Sequence, residues 1–296
     1  MKTLVIAFGG NAISPPDKKE SEELRLKRLE RVVAQLKPLA RTHHLLFTHG
    51  NGVDVGNLLL CQEALRDRFP LLSLDTLGAM TQGQLGFWLG QTVSNQLRKE
   101  VACVVTRVLV SAADPAYRKK TKPIGPYYQT KVFKNMAFIK GKGYRRVVAS
   151  PKPIKILEAA VIQKLFRSGV LVIAGGGGGI PVIQRRGKII GSEGVIDKDL
   201  CAAKLGELVG AHTLLILTNI DGVYINYATK DETKFSRLTL RQAQKFLNAG
   251  EFGEGSMKPK VQAAINFLKA GGKRCFIGPW ERPLDILKHK TGTEIS

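Results

Sequence analysis

Three glycine-rich turns in the sequence each follow a stretch that is predicted to be a buried strand. They are Gly9-Gly10, Gly50-Asn51-Gly52 and the run from Gly175 to Gly179. Because glycine lacks a β-carbon, the backbone N–H groups of such turns can approach an anion closely, and helix N-termini add partial positive charge nearby. In open parallel sheets these turns converge beyond the carboxyl ends of the strands. Together the three turns indicate a phosphate site.

The sequence contains neither of the two common nucleotide-binding motifs. There is no GxxxxGK[ST] loop, and no GxGxxG stands between a predicted strand and a predicted helix. The sequence therefore disfavours both standard nucleotide-binding folds, and phosphate must be bound by another arrangement.

The elements that must position these turns alternate between strands and helices. The apolar run 3–8 predicts a strand buried on both faces, and apolar residues at helical spacing predict a helix over 20–39, with Pro38 close to its end. Further strands are predicted at 45–48, 101–110, 170–174 and 213–217, and further helices at 55–65, 78–97, 154–167 and 200–209. This alternation indicates an α/β fold with a mainly parallel sheet covered by helices on both faces.

Residues 122–146 have a different character from the rest of the chain. They contain KPIGP, paired tyrosines and many lysines but little core-forming periodicity. An excursion of this length from a compact α/β domain favours a functional lid, and a surface hairpin is the alternative.

Length and composition indicate a globular protein of the reducing cytoplasm. The chain has 296 residues, of which 44% are hydrophobic, and no apolar run approaches the roughly 20 residues that span a bilayer. The N-terminal MKTLVIAF is interpreted as a first strand rather than a signal peptide, because glycines interrupt it. Four cysteines without paired spacing indicate neither zinc nor disulfides. We expect no membrane partner.

The formal net charge of +22 would also suit a protein that binds nucleic acid. The basic residues are spread along the chain, however, and the sequence has no basic tail, zinc finger or RNP-like aromatic motif. A generally basic surface, or a field that attracts anionic substrates, is therefore the preferred interpretation, and nucleic acid is not the expected partner.

Several longer motifs identify a family. They are GGNA at 9–12, HGNG at 49–52, GAMTQG at 78–83, KPIGP at 122–126, SPKPI at 150–154, GGGGIPVI at 176–183, VIDKD at 195–199, DGVYINY at 221–227 and GSMKPK at 255–260. In these motifs, over nearly its whole length, the chain resembles the carbamate kinases, which have the amino-acid-kinase fold.

The resemblance implies a fold and an activity. The fold would be a three-layer α/β/α sandwich around a mainly parallel sheet, with a small protruding lid. A single domain over 1–296 would comprise a carbamate-side lobe, 1–183, which contains the lid insertion 122–146, and a nucleotide-side lobe, 184–296. Such enzymes interconvert carbamoyl phosphate plus ADP with carbamate plus ATP. They act as homodimers, with Mg²⁺ bound mainly through the nucleotide phosphates rather than by a protein metal site.

The resemblance also implies the catalytic residues. Lys198 and Lys260 would hold phosphate oxygens during transfer, and Asp199 would orient both lysines. Lys122, the first residue of KPIGP, would be aimed into the cleft by a backbone that the neighbouring prolines stiffen. Three lid lysines are alternatives to Lys122, namely Lys131, Lys134 and Lys140.

The remaining site residues follow from the same resemblance. Gly9, Gly10 and Asn11 would cradle the transferred phosphoryl group, Gly50, Asn51 and Gly52 would line the carbamate side, and Gly176 and Gly177 would also contact substrate. The expected nucleotide-side residues are Asp197, Asp221, Tyr224 and Met257, with core packing as the alternative for Tyr224 and Met257. Asp197 is also a candidate for organising the lysines or binding metal. His49 is expected to be a hydrogen-bonded structural residue rather than a general base.

Two features depart from the family pattern. The chain has Val53-Asp54 where Pro-Gln is usual, and its lid is shorter. A carboxylate pointing inward would repel an anionic substrate, so Asp54 is expected to face water or to cap the helix that begins there. Because both departures fall on the acceptor side, one alternative is a kinase for another small acid. The net charge of +22 motivates a second alternative, a catalytically reduced relative that binds anions or nucleic acid.

Overall fold

A computed structural model describes residues 1–16, 20–227, 229–253 and 257–296, and for residues 11 and 12 it describes the backbone alone. The helices are α1 (Gly10–Ile13), α2 (Glu22–Gln35), α3 (Lys37–Thr42), α4 (Gly52–Ala64), α5 (Leu74–Leu97), α6 (Ala159–Arg167), α7 (Lys198–Leu208), α8 (Leu240–Asn248), α9 (Met257–Lys269) and α10 (Pro283–Leu287). The first nine strands are β1 (Lys2–Phe8), β2 (His43–His49), β3 (Val101–Val104), β4 (Arg107–Leu109), β5 (Lys122–Tyr128), β6 (Met136–Ile139), β7 (Gly143–Val148), β8 (Lys155–Ile156) and β9 (Leu171–Ala174). The later strands are β10 (Ile180–Arg185), β11 (Lys188–Gly191), β12 (Thr213–Thr218), β13 (Val223–Ile225), β14 (Thr233–Phe235), β15 (Arg237–Leu238), β16 (Arg274–Pro279) and β17 (Thr293–Ile295).

The central sheet has the order β15-β17-β16-β12-β1-β2-β9-β3 within the described part of the chain. The six strands from β16 to β3 are parallel, and β17 pairs antiparallel with β16. The carboxyl ends of β1, β2, β9 and β12 therefore lie at the same edge of the sheet. The glycine turns that follow the first three of these strands meet there, as predicted.

Helices cover both faces of this sheet, which confirms the three-layer fold. Successive residues of β1 show the layering, because Val5 and Ala7 pack into one buried cluster and Leu4, Ile6 and Phe8 into another. The first cluster includes apolar side chains of α6 to α9, and the second includes those of α2, α3 and α5. A strand that must be apolar on both faces reads as a continuous hydrophobic run.

Three predicted elements are divided in the structure. The helix expected over 20–39 ends at Gln35, and Pro38 stands in the first turn of α3, where its missing N–H costs no helical hydrogen bond. The strand expected over 101–110 becomes β3 in the central sheet and β4 in a second sheet with β8, β10 and β11. The helix expected over 154–167 begins only at Ala159, after the short strand β8.

The segment predicted as a lid folds as a three-stranded antiparallel sheet in the order β5-β7-β6. It is docked on α4, where the backbone of Gly125 lies so close to Gly56 that a β-carbon at position 56 would overlap it. Arg146 of β7 also donates to Glu63 of α4 over 2.7 Å. No described helix has the length and apolar character that a membrane span requires.

Candidate functional site

A cleft of about 760 Å³ opens at the carboxyl edge of the central sheet, between this edge and the lid. Its walls are the turns after β1, β2 and β12, the first turn of α7, and residues of β5 and β7. Of the predicted site residues, the following line it: Gly9, Gly10, Gly50, Asn51, Gly52, Lys122, Gly177, Asp197, Lys198, Asp199, Asp221, Tyr224 and Lys260.

The floor of the cleft holds a buried carboxylate between two lysines. Asp199 is 1% exposed, and its Oδ1 accepts from Lys198 while its Oδ2 accepts from Lys260 over 3.0 Å. Lys260 comes from α9, which is 61 residues further along the chain. The sequence expectation that Asp199 orients both lysines therefore agrees with the geometry of the three side chains.

The three groups have shifted pKa values. Burial alone would raise the pKa of Asp199, but Lys198 and Lys260 outweigh it and hold that pKa well below its usual range. Burial lowers the pKa of Lys198, and Asp199 acts in the opposite direction. For Lys260, burial is outweighed by Asp199 and Asp197, so its pKa is raised. The carboxylate therefore favours the charged form of both lysines.

A second lysine–carboxylate pair crosses the cleft from the lid. Lys122 Nζ donates to Asp197 Oδ2 over 2.5 Å, and these residues are 75 positions apart. Asp197 is the N-cap of α7, because its Oδ1 accepts from the N–H of Asp199. Lys122, Lys198 and Lys260 thus gather at one helix N-terminus, where partial positive charge favours an anion.

The glycine turns allow close backbone approach. A β-carbon at Gly9 would lie 2.8 Å from the carbonyl oxygen of Leu217, and one at Gly50 would lie 2.7 Å from the nitrogen of Gly10. Gly177 packs against the side chain of Asn51, so it too has no space for a larger residue. Asn11 is in α1, but its side chain lies outside the described part of the structure.

The part of the cleft that the sequence predicts to be the acceptor side is formed by the N-terminus of α4. Asn51 is the N-cap residue, yet its amide donates to Thr81 Oγ1 and caps no N–H of the helix. Gly52 and Val53 line the cleft. The first N–H groups of a helix have no intrahelical acceptor, so this turn presents donors to an anionic group.

The expectation for Asp54 was wrong. Asp54 is 5% exposed and lies in the first turn of α4, where it neither faces water nor accepts a capping bond. Its Oδ1 instead accepts from Ser14 Oγ over 2.8 Å and from Arg25 over 3.1 Å, behind the cleft wall. An arginine 29 residues away in the sequence makes this burial possible.

The nucleotide-side residues divide into two groups. Asp221 and Tyr224 line the cleft, where the Tyr224 hydroxyl donates to Asp221 Oδ1 over 2.5 Å. Met257 packs in the hydrophobic core, which agrees with the core-packing alternative. Sequence reasoning missed Thr218, the last residue of β12, and Asn219 directly after it, which also line the cleft. Their position at a strand's carboxyl end was the available signal.

Gly176 and His49 pack against each other behind the glycine turns rather than in the cleft. Gly176 does not line the cleft, and a β-carbon there would lie 2.5 Å from His49 Nε2. His49 is 1% exposed, and burial lowers its pKa to about 4. His49 is therefore neutral near pH 7 and packs behind the turn, in agreement with its expected structural role.

The lid adds cations to the roof of the cleft. Lys140 lines it, as do Lys142 and Arg145, which sequence reasoning did not single out. Arg145 is 7% exposed, donates to the carbonyl of Gly125, and stacks over the ring of Tyr127, which is another lining residue. Of the alternatives to Lys122, Lys131 and Lys134 do not line the described part of the cleft.

Two carboxylates of the cleft, Asp197 and Asp199, are already bonded to other groups of the protein. Both oxygens of Asp197 and both of Asp199 accept from lysines or from a backbone N–H. Within residues 1–16, 20–227, 229–253 and 257–296, no three acidic, histidine or cysteine side chains cluster in a way that could hold a metal ion.

Comparisons with known proteins agree with this architecture. The profile of the amino acid kinase family matches residues 2–279. Carbamate kinase of Pyrococcus horikoshii is 40% identical over 309 residues, covering 99% of this chain and 98% of its own, and that of Halobacterium salinarum is 41% identical over 304 residues, covering 100% and 98%. The structure of Giardia lamblia carbamate kinase bound to citric acid superposes with a TM-score of 0.91 at 34% identity, covering 99% of this chain and 98% of its own. The chain therefore belongs to the carbamate kinases of the amino acid kinase family.

Proposed function

We propose that this cleft transfers a phosphoryl group between carbamoyl phosphate and ADP, giving carbamate and ATP. A terminal β-phosphate oxygen of ADP attacks phosphorus, the bond from phosphorus to the carbamate oxygen breaks, and carbamate leaves as the anion. The observation that carries the proposal is the buried lysine–carboxylate–lysine arrangement at the α7 N-terminus beside three glycine turns. Phosphoryl transfer needs positioning and neutralisation of charge far more than it needs a protein nucleophile.

We assign Lys198 and Lys260 to the phosphoryl group in flight. Lys198 is buried and Lys260 is partly buried, and Asp199 holds them from opposite oxygens, so their positions are set before substrate arrives. Such preorganised donors stabilise charge that develops during transfer. Lys122 would approach from the lid side and exchange its bond to Asp197 for one to the substrate phosphate.

We assign carbamate to the turn at Gly50 to Gly52 and the nucleotide to the wall formed by Thr218, Asn219, Asp221 and Tyr224. The carbamate side has helix N–H donors, which suit a planar carboxylate-like anion. A nucleotide site is supported by a relative of 35% identity, the carbamate kinase of Giardia lamblia, which has been solved bound to AMP-PNP.

We propose that Mg²⁺ is bound through the nucleotide phosphates. Asp197 and Asp199 accept from lysines and the described residues offer no acidic cage, so substrate phosphates and water would supply most of the ligands. That fits Mg²⁺, which usually keeps water ligands and uses substrate phosphates. When bound, the ion would neutralise charge on the phosphate oxygens. Asp197, which accepts from Lys122, is the carboxylate that would bind the ion if Lys122 moves to the substrate phosphate.

We also propose a homodimer formed through α5, β3 and β11. Met80 and Phe87 of α5 and Ile189 and Ile190 of β11 are exposed, and in the described chain β3 pairs only with β9, which leaves one edge open. A self-complementary apolar face is what a twofold dimer needs. In sedimentation, Phe87→Glu should give monomers, and Phe138→Glu, at an equally exposed lid position, should leave the dimer intact. A dimeric Phe87→Glu variant would exclude this face.

A cytoplasmic location completes the proposal. It is supported by the four cysteines, all of which are free thiols in the structure, as the reducing compartment of a cell favours. The activity is tested by a coupled assay that detects ATP formed from carbamoyl phosphate and ADP with Mg²⁺. Absence of turnover by folded protein would refute the assignment. A panel of small acids with ATP tests the other acceptors. An acid that is phosphorylated faster than carbamate would replace carbamate as the assigned acceptor.

A further inference from the structure

A buried polar cluster lies behind the two glycine turns at Gly9-Gly10 and Gly50 to Gly52. It consists of Ser14, Arg25 and Asp54, which we call the loop clamp. Ser14 is fully buried, Asp54 is 5% exposed, and the side chain of Arg25 is 16% exposed. None of the three lines the cleft. The clamp therefore cannot touch substrate and can act only through the backbone that it holds.

The loop clamp joins the two segments that carry the turns. Ser14 is the C-cap residue of α1, which begins at Gly10 in the phosphoryl-side turn. Asp54 is in the first turn of α4, directly after the carbamate-side turn. The Ser14 hydroxyl donates to Asp54 Oδ1 over 2.8 Å, and Arg25 Nη1 lies 3.2 Å from Ser14 Oγ and 3.1 Å from Asp54 Oδ1. One carboxylate oxygen thus connects α1, α2 and α4.

The turns that the clamp connects are themselves in backbone contact. A β-carbon at Gly50 would lie 2.7 Å from Gly10 N and 3.0 Å from Gly10 Cα. Two backbones at such close range leave no side chain between them to fix their spacing. The Gly50 N–H also donates to the Phe8 carbonyl over 2.9 Å at the strand ends, and the clamp holds the two segments that follow the turns.

The clamp is a costly arrangement for stability alone. Asp54 Oδ2 and Arg25 Nε are buried without a hydrogen-bond partner. A carboxylate in this position must be compensated by its partners, and half of its bonding capacity is unused. An apolar pair of similar volume would pack equally well, so the value of the clamp lies in the positions at which it holds α1 and α4.

We infer that the loop clamp is a positioning device for phosphoryl transfer, with Asp54 fixing the distance between the phosphoryl-side and carbamate-side turns. It rests on the proposed function, because the distance between the turns matters only if the bond that breaks lies between them. The two substrates depend to different degrees on the distance between the turns. ADP binds largely on the wall after β12, away from the clamp, whereas carbamoyl phosphate spans both turns.

The test uses two clamp variants and one matched control in the full-length protein. Ser14→Ala removes the link between α1 and α4 but leaves the pair Asp54–Arg25, and Asp54→Asn keeps the shape while removing the charge. The control is Glu294→Gln. Glu294 is 6% exposed and accepts from Arg274 over 2.5 Å, but it lies on β17, outside the cleft lining.

Steady-state kinetics with carbamoyl phosphate and ADP should show kcat reduced about 10- to 100-fold in both clamp variants, since a misplacement of about 1 Å can cost two orders of magnitude. The KM for ADP should stay within about twofold of the unmodified protein. The control should lose thermal stability and keep its kcat. Ser14→Ala removes no charge, so it is the variant expected to stay folded if Asp54→Asn does not.

Three results would overturn the inference. One is a Ser14→Ala variant whose kcat matches that of the unmodified protein. Another is an equal loss of kcat in Glu294→Gln, which would make the effect one of general stability. The third is an unchanged kcat with the whole loss of kcat/KM coming from a higher KM for ADP. An unmodified protein that forms no ATP would instead refute the proposed function, so the two failures are distinguishable.

Discussion

Replacing Asp199 by asparagine should disable the cleft in a way that depends on pH. The buried carboxylate lies between the ammonium groups of buried Lys198, which it contacts, and partly buried Lys260, whose Nζ is 3.0 Å away. At an effective dielectric constant of about 20, an ion pair at this separation interacts by about 5 kcal/mol. Removal of one member of a buried pair costs about 3–5 kcal/mol in practice, because the remaining charge is left uncompensated.

Part of that cost should appear as loss of a proton from Lys198. Burial already lowers the pKa of Lys198, and Asp199 is the main group that opposes this. In Asp199→Asn the pKa of Lys198 should fall further. A lysine is charged below its pKa and loses its charge as the pH rises through it, so activity that needs the ammonium group should decline at a lower pH than in the unmodified protein.

The expected loss in kcat/KM is about 10²- to 10³-fold near neutral pH, comparable with removal of a preorganised transition-state donor. The measurement is kcat/KM against pH for both proteins, by the coupled assay for ATP. Activity of Asp199→Asn should recover partly as the pH is lowered. The control is Glu294→Gln, which removes a buried carboxylate that also lies between two cations, Arg274 and Arg237. An Asp199→Asn variant that keeps its kcat/KM within about threefold, or keeps the unmodified alkaline limb, would refute the reasoning.

Three further predictions concern the lid, the histidine and the helix beneath the lid. Lys122→Ala should lower kcat about 10²-fold, because the ammonium group of Lys122 reaches the cleft. Lys131→Ala should leave kcat unchanged, and equal losses of kcat in the two variants would reject the catalytic assignment of Lys122. The pKa of His49 is lowered to about 4, so between pH 6.5 and pH 4 the unfolded chain binds a proton there that the folded chain does not. As the pH falls through this range, the free energy of unfolding should therefore decrease by about 3 kcal/mol from this group. Denaturation of His49→Gln at several pH values should lack that part of the slope, and an unchanged slope would contradict it. Gly56→Ala should lower the free energy of unfolding by about 1–3 kcal/mol, because its methyl group would overlap the backbone of β5. Gly78→Ala, at an open helical position, should be neutral or stabilising. Calorimetry that finds Gly56→Ala the more stable of the two would disprove the close contact.

Several features of this protein were determined by local sequence. The apolar run 3–8 could only be a strand covered on both faces, and the glycines after β1, β2 and β9 mark the ends of parallel strands, so the layered fold and the edge that carries the site follow from pattern alone. The fold was predictable because period and turn chemistry depend on neighbours in the chain. The family motifs then predicted Lys122, Lys198, Lys260 and Asp199 as catalytic residues, and these four side chains line one cleft.

Other features depended on contacts between distant segments, and only the tertiary structure decided them. Asp54 has a sequence context that suits an exposed first helical turn, but Arg25 of α2 packs against it and draws it behind the cleft wall. The bond from Lys122 to Asp197 and the inclusion of Arg145 in the roof likewise depend on where the lid docks on α4. The direction of a polar side chain is set by the partner that compensates its burial, and that partner can lie anywhere in the chain. The residues of the site were therefore predictable from sequence, whereas their ion pairs and the clamp behind them were not.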